Sequence, residues 1–334
     1  MADERFLVVR LSSLGDIVHN LPAVSSLRDA FPHARIDWLV DCKWTALLDG
    51  NPDINEVIEL DRGSWNALRV SVERLRSGHY TCAIDFQGLY KSALLSFLSG
   101  ARRRVGFDRS MAREPGAAFF YTERVLPTSC HKVDHNLALA ETVGARPTAY
   151  RFPLCVSRSA SADVDRQIAR NGVGEFFVVS PGGGWRWKCW PPERYGELCR
   201  ELEQRLGWRA VVNCGPEETE LGQAVCRAGQ SAKPVLLATD VPQLIALLSR
   251  ARLVIGGDTG PLHLAVALGT PVVGLYGPTD PARNGPFSAE DVVVRNARPG
   301  ETTYKRQDAY SPAMLSISAE QVIRAVEKRL GARP

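Results

Sequence analysis

Residues 256–281 read GGDTGPLHLAVALGTPVVGLYGPTDP. The stretch follows the apolar run RLVI, passes through a glycine turn into the small apolar segment PLHLAVALG, and returns to an apolar run, TPVVGLYG, before a proline-rich turn. This is strand, turn, helix, strand. Pro261 suits the first turn of that helix, and Thr259 or Asp258 can cap it. The unpaired N–H groups at the helix start, with the helix dipole, favour an anion, and His263 lies one turn in, where it can face the same anion. Capping alone would explain Asp258 and Thr259 and leave His263 as a surface residue. It would require neither both glycines nor the histidine, so the ligand reading is preferred.

The same grammar extends in both directions. Upstream, FFVVSPG, WRAVVNCG and KPVLLATD read as strands, with helices PERYGELCRELEQRL and QLIALLSRA between or after them. Downstream, SAEQVIRAVEKRL opens with a Ser-x-x-Gln capping box at 318–321. The first half repeats the pattern. RFLVVRL, ARIDWLV, NEVIEL and YTCAIDF are strands, and IVHNLPAVSSLRDAF and WNALRVSVERLRS are helices. Alternation of this kind gives an α/β fold with parallel sheets covered by helices. The segment 150–170 shifts toward Ser, Ala and Pro and reads as a linker. The expected architecture is therefore two Rossmann-like domains, 1–160 and 161–334, facing a central cleft. Ligands in such folds bind beyond the carboxyl ends of the strands.

The totals agree. The chain has 334 residues, enough for two domains, with 45% hydrophobic and 23% charged residues. The net charge of +4 is too small to argue for nucleic acid, though it permits a local basic face. The eight cysteines form no C-x-x-C pair or metal-type cluster and read as reduced thiols of a cytoplasmic protein. MADERFLVVRL lacks the features of a signal peptide, and no apolar run approaches the length of a membrane span.

Four further segments can carry chemistry. SPGGGWRWKCW, 180–190, is a glycine loop after a strand, with Lys188 close behind; its N–H groups and the lysine suit a diphosphate, against the plainer reading of a solvated loop. GxGxxG and GxxxxGK[ST] are both absent. SSLGDIVHNLP, 12–22, puts Gly15 in a tight turn and Asp16 at a helix start, either as a simple N-cap or as a carboxylate able to take a proton from a hydroxyl. DFQGLYKSALL brings Gln87, Gly88 and Lys91 to the ligand side of a strand, and MAREPGAAFFY sets Arg113 beside an aromatic cluster. Basic residues also include Arg62, Arg102–Arg104, Arg109, His131 and Lys132. An anionic acceptor suits them, although a charge run is more often a solvated face.

RLSSLGDIVHNLPAV, IDFQGLYKSALL, SMAREP, KCWPPERYGEL and DTGPLHLAVALGTPVVGLYGPTDP, in this order, resemble the heptosyltransferases of lipopolysaccharide inner-core synthesis, glycosyltransferase family 9. PTDP, AREP and QGLYKSA resemble the type I enzymes more than type II. The resemblance covers nearly the whole chain. It implies a GT-B fold, whose final helix can cross back to the first domain, an ADP-heptose donor held by the C-terminal half, and a Kdo-lipid A acceptor at the N-terminal half. It implies a cytoplasmic enzyme working at the inner membrane, with no cofactor and no metal. Asp16 corresponds to the general base. Lys188, Asp258, Thr259, Gly260 and His263 correspond to donor-binding positions, and Glu217 or Glu218 to the ribose ligand. Arg62, Gln87, Lys91, Arg113 and His131 would meet the acceptor. The chain departs from type I in one place. Gly183 and Gly184 stand where paired threonines occur, so hydroxyl contacts to phosphate would become backbone contacts. The rival readings are a family member with another donor or acceptor, heptosyltransferase II-like, and a GT-B nucleotide-sugar epimerase or hydrolase. A nicotinamide-dependent oxidoreductase is disfavoured by the missing GxGxxG, and a non-catalytic sugar-nucleotide sensor by Asp16 and Lys188.

Overall fold

A computed structural model of the chain describes residues 4–61 and 63–331. Its two compact units are Met1–Cys155 and Val156–Pro334. The first is built on β1 (Arg5–Val9), β2 (Arg35–Asp41), β3 (Glu56–Leu60), β4 (Cys82–Asp85), β5 (Arg103–Phe107) and β6 (Glu123–Val125). The second is built on β7 (Phe176–Ser180), β8 (Arg209–Cys214), β9 (Val235–Ala238), β10 (Val254–Gly257), β11 (Val272–Leu275) and β12 (Val292–Val294). Each unit holds a six-stranded sheet, in the orders β3-β2-β1-β4-β5-β6 and β12-β11-β10-β7-β8-β9. All pairings are parallel. Counted within each unit, this is one winding order, the doubly wound order in which the chain reverses direction between the first and fourth strands. The fold is the expected α/β pair of Rossmann-like units, the building blocks of the GT-B class.

The central strands are continuous apolar runs rather than alternating ones. Four of the five residues of β1 and all five of β7 are buried, as a parallel sheet covered on both faces requires. In the second unit the Pro192–Leu206 helix packs with Thr219–Ala228 and Ala319–Leu330, and Arg158–Arg170 packs with Val241–Leu248. Trp190, Tyr195, Leu198, Ile255 and Val326 lie in a core cluster of this unit.

Three local features differ from the sequence reading: the helix over 17–31, the linker and the strands near the sheet edges. The supposed single helix over 17–31 is two helices, Leu14–Val18 and Leu21–Ala30. Pro22 lacks the N–H that a continuous helix would need and fits only in a first turn. Residues 158–170 are a helix rather than linker, capped by the Ser157 hydroxyl, with Ala160 and Val164 buried. The final helix, Ala319–Leu330, buries Val322, Ile323 and Val326 in the core of the second unit. The strands β5, β6 and β12 are absent from the sequence reading because β6 and β12 have only three residues, while β5 begins with the charged pair Arg103 and Arg104.

One polar pair is buried under the first sheet. Asp37, fully buried on β2, accepts hydrogen bonds at Oδ2 from the Tyr80 hydroxyl at 2.8 Å and from Arg35 Nε at 2.8 Å. Its Oδ1 has no partner among the described residues. Removing one of the two donors leaves a buried carboxylate poorly solvated. Tyr80→Phe should therefore lower stability by about 1–3 kcal/mol, read as a lower urea midpoint at unchanged slope.

Candidate functional site

At the switch point of the second unit β10 pairs with β7, with Gly256 opposite Ser180. Glycine is needed here for close approach. A Cβ on Gly256 would lie 3.1 Å from the Ser180 carbonyl oxygen, and one on Gly257 3.2 Å from that of Lys188. The end of β10 is thereby pressed against the 180–188 loop.

Asp258 follows directly and is 5% exposed. Neither it nor Thr259 caps the helix by a side-chain bond. Thr259 is the N-cap residue, but its hydroxyl turns back to the Gly257 carbonyl at 3.3 Å, leaving the start of the Gly260–Ala267 helix without a side-chain cap. The Asp258 carboxylate instead gathers three donors. His263 Nε2 lies 3.0 Å from Oδ1, Lys188 Nζ lies 3.1 Å from Oδ2, and Asn284 Nδ2 also donates to Oδ1. Burial pushes this carboxyl upward, but the His263 hydrogen bond and the Lys188 charge outweigh it and hold the group well below the usual carboxylate range. Asp258 thus joins His263 and Lys188, one on each carboxylate oxygen, and holds the lysine in place.

The glycine loop has a division of labour. Gly184 takes a positive φ of 72°, a left-handed conformation that side chains disfavour. Gly183 turns inward, where a Cβ would meet Cys189 Sγ at 2.7 Å. Gly182, not singled out in the sequence, makes room for the Glu218 carboxylate, because a Cβ there would lie 2.2 Å from Glu218 Oε2. Glu217, its neighbour in the turn Pro216–Glu218, is exposed. Glu218 sits at the end of β8, next to β7, where doubly wound folds hold an acid for ribose hydroxyls. Two cations lie over the Trp185 ring, Lys188 at 4.6 Å and Arg306 at 5.4 Å, and Arg186 lies over Tyr310 at 4.8 Å. Asn284, Trp185 and Arg306 were missed by the sequence reading; nothing in their local spacing sets them apart from ordinary loop residues.

In the first unit the switch point lies between β1 and β4. Asp16 is not the N-cap of Leu14–Val18 but its third residue, and its Oδ2 accepts from the Ser13 N–H and hydroxyl at 3.3 and 3.1 Å. Arg10 pairs with its Oδ1 at 2.6 Å and Lys132 reaches it at 3.5 Å. Burial again pushes the carboxyl up, and Arg10, Lys132 and His19 overcome it and hold Asp16 far below its ordinary range. The side chain remains 23% exposed. Arg10 was missed. It is 6% exposed and reads in sequence as the end of a strand.

The acceptor candidates divide. Gln87 is buried, and its Oε1 accepts from the Leu11 N–H at 2.8 Å, so it ties the ends of β1 and β4 together. Lys91 and Arg113 are exposed, and Gly88, at φ 68°, lets the Arg113 backbone approach the Gln87 turn. Glu114 N–H donates to the Gly88 carbonyl at 3.0 Å, fixing the same contact. His131 caps the Lys132–Thr142 helix, its Nδ1 accepting from Val133 N–H at 3.2 Å, and its ring lies edge-on to His19 at 5.9 Å. The chain thus carries His131 to the neighbourhood of Asp16 through Lys132. Arg62 lies outside the described residues.

The match to the family described as glycosyltransferase family 9 (heptosyltransferase) spans residues 69–314. Lipopolysaccharide heptosyltransferase 1 of Pseudomonas aeruginosa is 30% identical over 323 residues, covering 92% of this chain and 88% of that protein. The solved structure of Escherichia coli ADP-heptose lipopolysaccharide heptosyltransferase II superposes with a TM-score of 0.81 at 26% identity over 98% of both chains. E. coli heptosyltransferase WaaC, solved with ADP, gives 0.76 at 26% identity, again over 98% of both chains.

Asp16 and Asp258 both titrate lower in the folded chain than in the unfolded one. Each therefore adds stability above about pH 4 that is lost as the pH falls below it. Asp16→Asn and Asp258→Asn should each flatten the acid side of the stability profile, measured by urea unfolding across that range. Asp258→Asn should also weaken binding of ADP about tenfold or more, by releasing Lys188 from its anchor; calorimetry reads this directly.

Proposed function

We propose a reaction from a fixed premise: the chain belongs to glycosyltransferase family 9, the heptosyltransferases. It is a glycosyltransferase. The reaction we assign is transfer of heptose from ADP-L-glycero-D-manno-heptose to a Kdo residue of Kdo-lipid A. The observation that carries the donor half is the anchored Lys188, held by a buried carboxylate at the switch point of the second unit, with Glu218 beside the glycine loop. This is a charge and a ribose acceptor set where a nucleoside diphosphate binds such a fold.

In the proposed step an acceptor hydroxyl oxygen attacks the anomeric carbon. The bond from that carbon to the diphosphate oxygen breaks, ADP leaves with the electron pair, and configuration inverts. Lys188 and the uncapped start of the Gly260–Ala267 helix stabilise the charge growing on the leaving diphosphate. The hydroxyl proton passes to Asp16. A carboxylate held by Arg10 and Lys132 is a weak base toward a resting alcohol, but the hydroxyl becomes strongly acidic as its oxygen bonds to carbon, so transfer is late. Lys132, His131, Lys91 and Arg113 would bind the acceptor's anionic groups. Lysine and helix dipole supply the positive charge, so the step is written without a metal. Gly183 and Gly184 favour donor contacts through backbone N–H groups and keep a heptosyltransferase II-like donor or acceptor as the second reading.

Mass spectrometry after incubation with ADP-heptose and Kdo-lipid A, with and without EDTA, tests this. The expected product is heavier by a single heptosyl unit and insensitive to EDTA. Asp16→Asn should lower kcat by about 10²–10⁴-fold with ADP affinity nearly unchanged. Loss of ADP affinity in that variant, or metal-dependent turnover, would contradict the assignment of roles.

A further inference from the structure

We infer that the face built by Tyr90, Leu94, Phe97 and Phe119 is the surface on which the protein rests against an anionic lipid bilayer. The inference deepens the proposed reaction and rests on it for the expectation that the acceptor is lipid-linked. On the Tyr90–Leu98 helix, residues 90, 94 and 97 recur at the spacing of one helix face. They are 54%, 42% and 51% exposed, whereas Ser92, Ala93, Leu95 and Ser96 are buried on the other side. Phe119, on the adjoining Pro115–Phe120 turn, is 73% exposed. The helix and the turn that carry them pack against each other. Phe97 meets Phe120 edge to face at 6.0 Å, and the Tyr90 ring packs against Gly116 of the same turn. Scattered exposed apolar residues are ordinary, but a continuous patch marks an interaction surface.

Charge selects the occupant. Arg104 lies 5.4 Å over the Phe97 ring and Arg109 5.9 Å over Phe119, and Lys91, Arg102 and Arg113 are exposed around the same helix, turn and neighbouring loops. The neighbouring acids are engaged locally. Glu114 accepts from the Tyr90 N–H, Glu123 pairs with Arg103, and Asp108 accepts from Ser110. An apolar centre with a cationic rim would set arginine against arginine if two copies met face to face. It complements anionic headgroups, into which aromatic and arginine side chains insert with their polar ends in water.

Flotation of the full chain with phosphatidylethanolamine vesicles, with and without phosphatidylglycerol, is the test. Binding should require phosphatidylglycerol and weaken with salt. Leu94→Glu combined with Phe119→Glu should lower the partition coefficient about tenfold or more, with the thermal melt retained. Leu94→Trp should raise it, so a folding defect in the double variant does not decide the matter. Transfer to a soluble acceptor stripped of its acyl chains should be unchanged in all variants. Absence of binding by the unaltered chain, or equal binding by the double variant, would overturn the inference. So would a concentration-dependent dimer that the double variant abolishes, which would give the face to a second copy. Failure of the unaltered chain to transfer sugar to the soluble acceptor would instead refute the proposed reaction and leave the vesicle result standing.

Discussion

Parallel strands cannot be joined by tight turns, and the rest of this structure follows from that constraint. Each strand must be followed by a crossover, so the turns leaving its carboxyl end are free of pairing duties while the strand itself is buried on both faces. In each unit the winding reverses between the first and fourth strands. There the departing chains separate, and the candidate site residues collect: Asp16 and Gln87 after β1 and β4, Lys188 and Asp258 after β7 and β10.

Both switch points solve the same electrostatic problem. A carboxylate that is largely removed from water is stable only when donors and cations surround it. Asp16 has Ser13, Arg10 and Lys132; Asp258 has His263, Asn284 and Lys188. In the second unit the carboxylate fixes the lysine, and in the first the cations keep the carboxylate ionised with part of its surface accessible. In the proposed reaction the held lysine meets the diphosphate and the held carboxylate is the base.

Much of the fold was legible because its signals are local. Apolar runs such as RFLVV and FFVVS, glycine turns and the Ser318 capping box each act over a few residues, and each is found where the pattern implied. The edge strands β6 and β12 failed that test, being only three residues long, and β6 carries charge as well. The 158–170 helix failed it too, because its alanines and serines read as linker until Ala160 and Val164 find a core to enter. Among the site residues, Lys188, Asp258 and His263 were visible as residue types out of place in apolar surroundings. Arg10 and Asn284 were not, because a strand-end arginine and a loop asparagine are ordinary until a carboxylate is brought to them.

By itself the sequence determined the α/β class, the division into two units, the family and the turns that carry the chemistry. Periodicity, glycine placement and motif order depend only on neighbours along the chain. Tertiary structure alone decided who pairs with whom. It set Glu218, and not the exposed Glu217, against Gly182, and turned His263 onto Asp258. It also tied Gln87 to the Leu11 backbone. Those outcomes depend on burial and on contacts between residues far apart in sequence, where the cost of an unpaired charge or a missing hydrogen bond is set by whatever the fold has placed beside it.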